Sequence, residues 1–178
     1  MMWKTHFVVG ISAPVLVGDI AGILPALIGS IAPDWMEQVP RLVGRDAPAH
    51  RTVTHIVMYW LIAVVIGFAI GGTVGLLPMW FAWGGLSHVL ADMFTPMGVP
   101  VMPNSRHRTN LLGGRVRTGS SVEYVIMGLL CVLMALAIRS DGIDKQSQYV
   151  PFFPDWYGRY EDGLIDKYEL KTNRMKFF

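Results

Sequence analysis

The sequence predicts an all-α polytopic membrane protein, in which a helical hairpin precedes three membrane-spanning helices and a C-terminal appendage. Hydrophobic residues make up 52% of the 178 residues and the mean hydropathy is +0.41, which is high for a soluble domain. Charged residues are only 16% of the chain, and none lies between residues 53 and 91. The net charge of +2 is too small to indicate nucleic-acid binding. Cys131 is the single cysteine, so the chain cannot form an internal disulfide.

Two short apolar runs begin the chain, at 7–17 and 20–31, and Gly18 and Asp19 separate them. Each run is too short to cross a bilayer as a helix, so we predict a helical hairpin that dips into the membrane or packs on the other helices. The first run resembles that of a signal peptide but lacks a clear small-residue cleavage site, and we expect it to be retained.

Three longer apolar segments follow the hairpin. Residues 53–77 contain no Asp, Glu, Lys or Arg and form a helix of about 37 Å if helical throughout, which is enough to span a bilayer. Pro78 interrupts the pattern, and we predict that 79–95 returns antiparallel as a second span. The third predicted span is 120–138, in which Glu123 lies in the first turn and suits the helix dipole.

The composition divides the chain into two parts. We predict a membrane-embedded helical domain over 1–138 and a polar, aromatic-rich tail over 139–178, with one helix near 160–171. The tail interleaves acidic and basic residues with Tyr, Trp and Phe, which is typical of a solvated or interfacial segment.

Histidine and aspartate residues from separate segments converge in this topology. His88 and Asp92 are four residues apart and share a helix face. Imidazole nitrogens and carboxylate oxygens are ligands of zinc, and ionisable residues in membrane helices indicate function. The topology places six such residues at one membrane face: His6, Asp34, His50, His55, His88 and Asp92.

Each of these residues also has a structural interpretation. His88 and Asp92 could form a hydrogen-bonded pair that links helices. Asp34 could cap the stretch after Pro33, and His55 could be a buried structural histidine. His6 could be an interfacial residue, and His107 lies between two arginines of a loop. The joint placement of the six residues favours a metal site.

Basic residues gather at the same face. By the positive-inside rule they indicate that this face is cytoplasmic, although arginines can also hold phosphate or carboxylate groups or anchor lipid headgroups. The set comprises Lys4, Arg41, Arg45, Arg51, Arg106, Arg108, Arg115 and Arg117.

Three sequence blocks resemble those of a known family. GSIAPDW at 29–35, HRTVTH at 50–55 and GGLSHVLADMFTPMGVPVMP at 84–103 resemble the signature blocks of the YdjM family of LexA-regulated bacterial inner-membrane proteins. The resemblance covers residues 6–138 and not the tail. It implies a multi-pass protein of the inner, cytoplasmic membrane and a metal-dependent hydrolase.

The resemblance also implies the metal ligands. They are His6, Asp34 of the PD motif, His50 and His55 of the HRxxTH motif, and His88 and Asp92 of the HxxxD pair. The family usually has a second aspartate in a PDxD motif, where this chain has Met36. Glu37 is rotated from that position by about 100° of helix, so we expect it to replace the aspartate only where the backbone is irregular. This departure weakens the case for a second metal ion.

The leading hypothesis is a hydrolase that uses a divalent metal ion, with zinc the first choice, at the membrane surface. Asp34 or Asp92 acts as general base where it is not a ligand, and Arg51, Arg106 or Arg108 steadies an anionic substrate. The HxxxD pair also resembles one in the helical zinc phospholipase C and nuclease group, which suggests a phosphoester or lipid substrate. The expected partners are the lipid bilayer and such a substrate, without nucleic acid.

Two other hypotheses remain open. In the first, the protein is not an enzyme: the polar residues hold helices together or bind a structural ion, and the tail binds a protein partner. In the second, the protein transports a metal ion or protons. Transport is disfavoured because 56–77 has no ionisable group except Tyr59, whereas a pathway needs polar residues through the whole membrane depth.

Overall fold

The computed structural model of the chain describes residues 1–42, 44–46, 50–105, 107–141, 160, 163 and 166–168. These residues contain helices and no strand, apart from one isolated β-bridge between Val99 and Thr109, which confirms the all-α prediction. The α-helices are α1 (Trp3–Leu16), α2 (Ile20–Gly29), α3 (Ala32–Met36), α4 (Val39–Leu42), α5 (Val57–Ile70), α6 (Gly72–Met93) and α7 (Ser121–Asp141). Two 3₁₀ turns occur at Val53–His55 and Leu111–Gly114.

The predicted N-terminal hairpin is present as α1 and α2. Gly18 has a φ of +74°, which lets the chain reverse between the two helices. Asp19 caps α2, because one carboxylate oxygen accepts a hydrogen bond from the Gly22 N–H at 3.1 Å. The other oxygen accepts one from Trp80 Nε1 at 2.8 Å, so the same side chain ties the hairpin to α6.

The predicted helix over 53–77 is wrong, and so is the break at Pro78. The structure has a 3₁₀ turn at Val53–His55 and then α5, which ends at Gly71 after 14 residues. Gly71 and Gly72 have φ values of +65° and +56°, a conformation that reverses the chain and that glycine adopts readily. Pro78 lies inside α6, where it removes one backbone donor without reversing the chain.

Two helical segments are long and apolar enough to cross a membrane, Val74–Met93 of α6 and Ser121–Arg139 of α7. The second of these overlaps the predicted third span at all but its last residue and carries Glu123 in its first turn, as predicted. Helix α5 is apolar but shorter than a full span. The prediction of three membrane-spanning helices is therefore not confirmed.

Helix α6 is central to the fold and packs against α5, α2 and α1. Its crossing with α2 is so close that a Cβ atom added at Gly84 would collide with the Ala26 carbonyl oxygen, and one added at Gly29 with the carbonyl oxygen of Phe81. Small residues at a helix crossing let the two backbones approach, as is common in membrane proteins. The crossing brings the C-terminal end of α2 against the part of α6 that carries His88.

Helix α7 packs mainly on α1 rather than on α6. Glu123, fully buried in its first turn, accepts hydrogen bonds from the Met2 N–H at 2.6 Å, the Thr5 hydroxyl at 2.7 Å and the Gly119 N–H at 2.6 Å. This carboxylate joins the start of α1 to the start of α7. The predicted helix near 160–171 lies mostly outside the described residues, and the proposed division at residue 138 stays a prediction.

The α2–α6 crossing gives a stability prediction. We expect Gly84→Leu to lower the free energy of unfolding by about 1–3 kcal/mol or more, because the new side chain has to push α2 away from α6. The matched control is Gly128→Leu in α7, where an added Cβ meets open space. Thermal unfolding in a mild detergent measures both, and equal melting temperatures for the two variants would contradict the close crossing.

Candidate metal centre

Separate elements bring ionisable side chains together at the C-terminal end of α6. His88 and Asp92 come from α6, Asp34 from α3, and His55 from the first 3₁₀ turn. The four residues form what we call the inner quartet. Around it lie His6 from the first turns of α1, Glu37 just after α3, and His50 and Arg51 just before the 3₁₀ turn.

In the inner quartet, imidazoles and carboxylates alternate. The His55 Nε2 atom lies 3.4 Å from Asp34 Oδ1 and 3.8 Å from Asp92 Oδ2. The His88 Nε2 atom lies 3.6 Å from Asp34 Oδ1 and 3.7 Å from Asp92 Oδ2. These separations are too long for good hydrogen bonds, and both Nε2 atoms are buried without a hydrogen-bond partner among the described residues. Such buried unpaired groups are costly unless something satisfies them.

The other nitrogen of each imidazole is held by an acceptor. His88 Nδ1 lies 2.6 Å from the Ser30 carbonyl oxygen, and His55 Nδ1 lies 2.9 Å from Glu37 Oε1. An imidazole that donates through Nδ1 has its lone pair on Nε2 when it is neutral. The two Nε2 lone pairs therefore face the carboxylates of Asp34 and Asp92. This outer arrangement is the one that metal-binding histidines generally have.

The spacing of nitrogens and oxygens in the inner quartet is close to that around a divalent cation. Ligand atoms that lie about 2.0–2.2 Å from a tetrahedral ion are about 3.3–3.6 Å apart. The four separations between an imidazole Nε2 and a carboxylate oxygen run from 3.4 to 3.8 Å, and ligand atoms of Asp34, His55 and His88 all lie within 4.8 Å of one another. Two imidazole nitrogens and two carboxylate oxygens are suitable donors for zinc and for similar ions.

Asp92 uses its two oxygens differently. Its Oδ2 faces the quartet, whereas Oδ1 lies 2.8 Å from an Arg51 guanidinium nitrogen and 2.6 Å from the Met1 amino nitrogen. His6 stacks on His88 with ring centroids 3.7 Å apart, and its Nε2 lies 3.6 Å from the same Oδ1 atom. The cationic partners offset the burial of this carboxylate, and His6 lines the quartet from the α1 side.

Glu37 is the residue that the sequence reasoning missed. Its side chain is only 2% exposed, and Oε1 accepts hydrogen bonds from the Arg51 N–H at 2.8 Å and the Thr54 hydroxyl at 3.0 Å besides facing His55. Glu37 reaches these partners from a backbone with helical φ and ψ of −64° and −23°; its expected replacement of the PDxD aspartate as a ligand stays a prediction. The available signal was its spacing from Asp34, since residues i and i+3 share a helix face.

Met36 does not belong to the cluster. Its residue surface is 40% exposed, in contrast to Glu37 beside it. The second carboxylate of this segment is therefore Glu37, one position after the second aspartate of the PDxD pattern.

His50 lies outside the inner quartet. Its side chain is 56% exposed, and Nδ1 lies 2.7 Å from Glu37 Oε2. Ligand atoms of Asp34, Glu37 and His50 lie within 4.8 Å of one another, so these residues form an outer group that shares Asp34 with the quartet. The predicted position of His50 near the site is correct, but its contact is with a carboxylate that the prediction did not include.

Burial and hydrogen bonding shift the pKa of Glu37 in opposite directions. Burial alone raises the pKa of this carboxyl, but the hydrogen bonds from the His50 side chain and the Arg51 N–H outweigh it, so the pKa lies below its ordinary value. The group is therefore ionised at neutral pH. A carboxylate facing Nδ1 makes the His55 imidazole a more basic ligand through Nε2.

The structure also decides between several structural interpretations. Asp34 does not cap a helix, since the N-cap of α3 is Ile31 and makes no side-chain hydrogen bond. His88 and Asp92 do not form a hydrogen-bonded pair, because His88 Nε2 lies 3.7 Å from Asp92 Oδ2. His107 is exposed, as expected of a loop residue.

The predicted arginines have different positions. Arg51 is 8% exposed, and besides Asp92 its NH1 donates to the Thr95 hydroxyl at 2.9 Å. Arg108 donates to the His50 carbonyl oxygen at 3.3 Å. Arg106 lies outside the described residues. Arg51 is thus part of the cluster, and Arg108 lies next to it.

The family model of the YdjM inner membrane protein matches residues 1–146. The chain belongs to this family. Comparisons with curated proteins and with solved structures found no match. The matched range of the YdjM model contains the whole cluster, and the family's description as an inner membrane protein agrees with the two membrane-length helices α6 and α7.

The outer hydrogen bond to His55 gives a prediction about affinity. We expect Glu37→Ala to weaken zinc binding by about 10- to 100-fold, because His55 loses the partner that orients its ring. Competition with a chelating dye, performed on purified protein, measures the affinity. The control is Asp46→Ala, which removes an exposed carboxylate outside the cluster. Equal affinities for the two variants would show that Glu37 does not position a ligand.

Proposed function

We propose that this YdjM-family protein is a metal-dependent hydrolase that acts at the surface of the inner membrane on a phosphoester or lipid substrate. The observation that carries the proposal is the pair of buried, unpartnered Nε2 atoms of His55 and His88, which face the carboxylates of Asp34 and Asp92. Two such atoms in one cluster are costly for a fold unless an ion satisfies them.

In the hydrolase, His55, His88 and Asp92 of the inner quartet are the residues that would hold the ion, and zinc is the ion that this donor set suits best. When bound, such an ion polarises the scissile group and lowers the pKa of a water molecule. His6 stacks on His88 and His50 lies beside Glu37, and the proposal gives both histidines supporting positions around the quartet.

Asp34 has the exposure that a general base requires. About 48% of its side chain is exposed, whereas His55, His88 and Asp92 are almost fully buried. Water therefore reaches the quartet from the Asp34 side, and we propose that Asp34, when it is not itself a ligand of the ion, takes the proton that leaves the attacking water. Asp92 is less suited to this role because its Oδ1 is already paired with Arg51.

Arg51 compensates charge at the buried end of the site. Its guanidinium nitrogen lies 2.8 Å from Asp92 Oδ1, and this contact orients the carboxylate and offsets its burial. We propose that the site faces the cytoplasm, with α5 as a third, short membrane helix and the protein as a multi-pass one. The support is the number of arginines near the site and the apolar composition of α5.

A structural ion is the second candidate function. The near-complete burial of His55, His88 and Asp92 favours it, since structural metal sites are closed to solvent. The ion would then join α3, the first 3₁₀ turn and α6, and the protein would have no hydrolytic activity. The exposure of Asp34 favours the hydrolase.

Metal content and turnover together test the proposal. We expect the purified protein to hold stoichiometric metal, and a panel of phosphomonoesters, phosphodiesters and phospholipids to reveal a hydrolysed substrate. Chelation should abolish turnover and zinc should restore it. His88→Ala should lose the metal and the activity together, whereas Asp46→Ala should keep both.

The two candidate functions predict different effects of substituting Asp34. Because Asp34→Asn keeps the size of the side chain and a carbonyl oxygen but removes the base, a hydrolase should lose at least about 100-fold in kcat. A structural ion should instead show lower thermal stability on chelation and no turnover in any variant. A wild-type protein without bound metal after gentle extraction would contradict both candidates.

A further inference from the structure

A cleft of about 440 Å³ lies beside the cluster. Its walls come from the residues just before α5, the first turn of α5 and the loop that follows Pro100. This volume is within the range of small-molecule sites. Arg51 lines the cleft and also contacts Asp92, so only the Arg51 side chain separates a ligand in the cleft from Asp92.

The cleft contains cationic side chains. Arg51 and Arg108 both line it, together with the polar side chains of Asn104 and Ser105, and none of the lining residues is acidic. Arg51 Nε is buried and has no hydrogen-bond partner in the described part of the chain. No carboxylate among the described residues pairs with Arg108, whose guanidinium contacts a carbonyl oxygen instead. Two arginine forks with spare donors are suited to a phosphate group.

The cleft is also lined by apolar side chains and a tyrosine. Val53, Ile56, Tyr59 and Met102 line it. Tyr59 begins an exposed face of α5 that continues through Ile62 and Ile66, three and seven residues later, at spacings that place side chains on one side of a helix. Through Tyr59, an exposed apolar surface of α5 is therefore continuous with the cleft that Arg51 and Arg108 line.

We propose that this cleft binds a phosphate group that carries an apolar tail, as in the headgroup region of an anionic phospholipid. The phosphate lies between Arg51 and Arg108, and the tail lies on the Tyr59 and Ile62 face of α5. The inference rests on the proposed function and deepens it, because it makes the lipid the substrate class of the neighbouring cluster. Arg51 also contacts Asp92, so a phosphate bound to Arg51 would place a phosphoester beside the inner quartet.

Binding to the full chain in a non-ionic detergent tests the proposal. Calorimetric titrations with short-chain dihexanoyl phosphatidic acid, and separately with inorganic phosphate, give two affinities. We expect Arg108→Gln to weaken both by about tenfold or more, because it removes charge-assisted hydrogen bonds to the phosphate. Arg117→Gln is the matched control: it removes the same charge from an exposed arginine that does not line the cleft, and it should change each affinity less than twofold.

Two further variants separate the parts of the ligand. Arg108→Lys keeps the charge but not the fork, so we expect an intermediate affinity. Ile62→Ser should weaken binding of dihexanoyl phosphatidic acid about threefold or more and leave inorganic phosphate unchanged. Equal affinity of the wild type for the two ligands would overturn the lipid assignment and identify a soluble phosphoester as the source of the phosphate.

Zinc content, measured on the same samples, distinguishes this inference from the proposed function. If the protein holds zinc but Arg108→Gln and Arg117→Gln bind phosphatidic acid with equal affinity, the proposed phosphate site in the cleft is contradicted and the metal centre is not. Arg108-dependent binding in a protein that holds no metal would support the cleft and contradict the hydrolase.

Discussion

The hydrogen bonds at Nδ1 of His55 and His88 are the interactions on which the rest of the site depends. Glu37 and the Ser30 carbonyl oxygen hold the two rings, so both Nε2 lone pairs face Asp34 and Asp92. Backbone packing fixes the second of these contacts, because Ser30 follows α2 and reaches His88 only where α2 and α6 cross closely. The small residues at the α2–α6 crossing thus determine the orientation of the His88 ring and the direction of its Nε2 lone pair.

The cluster also shows how a membrane protein tolerates buried charge. Asp92 has a cationic partner on one oxygen, Glu37 accepts several hydrogen bonds, and Glu123 joins α1 to α7 in the same manner. Each carboxylate is stabilised where it is buried. Among the described residues, four of the six buried side-chain nitrogens and oxygens without a hydrogen-bond partner belong to the cluster: His6 Nδ1, His55 Nε2, His88 Nε2 and Arg51 Nε. This concentration of unsatisfied groups at one end of α6 indicates a ligand rather than a structural hydrogen-bond network.

Periodicity and composition predicted the helical class, the N-terminal hairpin and α7, because apolar runs and glycine turns are local signals. They failed at α5 and α6, where both Gly71 and Pro78 interrupt the same apolar segment: the glycine pair ends the helix, and the proline is accommodated within it. The motif spacing indicated the residues of the cluster, but not Glu37, whose role depends on where the first 3₁₀ turn places His55. The hydrogen bond between His88 Nδ1 and the Ser30 carbonyl oxygen was also not predictable from the sequence, since it arises from tertiary packing.

X-ray absorption at the zinc edge of the purified, zinc-loaded protein tests the central claim most directly. The account predicts two imidazole nitrogens with oxygen ligands at about 2.0–2.2 Å and no sulfur, and one imidazole fewer in His88→Ala. A spectrum with a sulfur ligand at about 2.3 Å, or one that His88→Ala leaves unchanged, would contradict a metal centre built on His55 and His88.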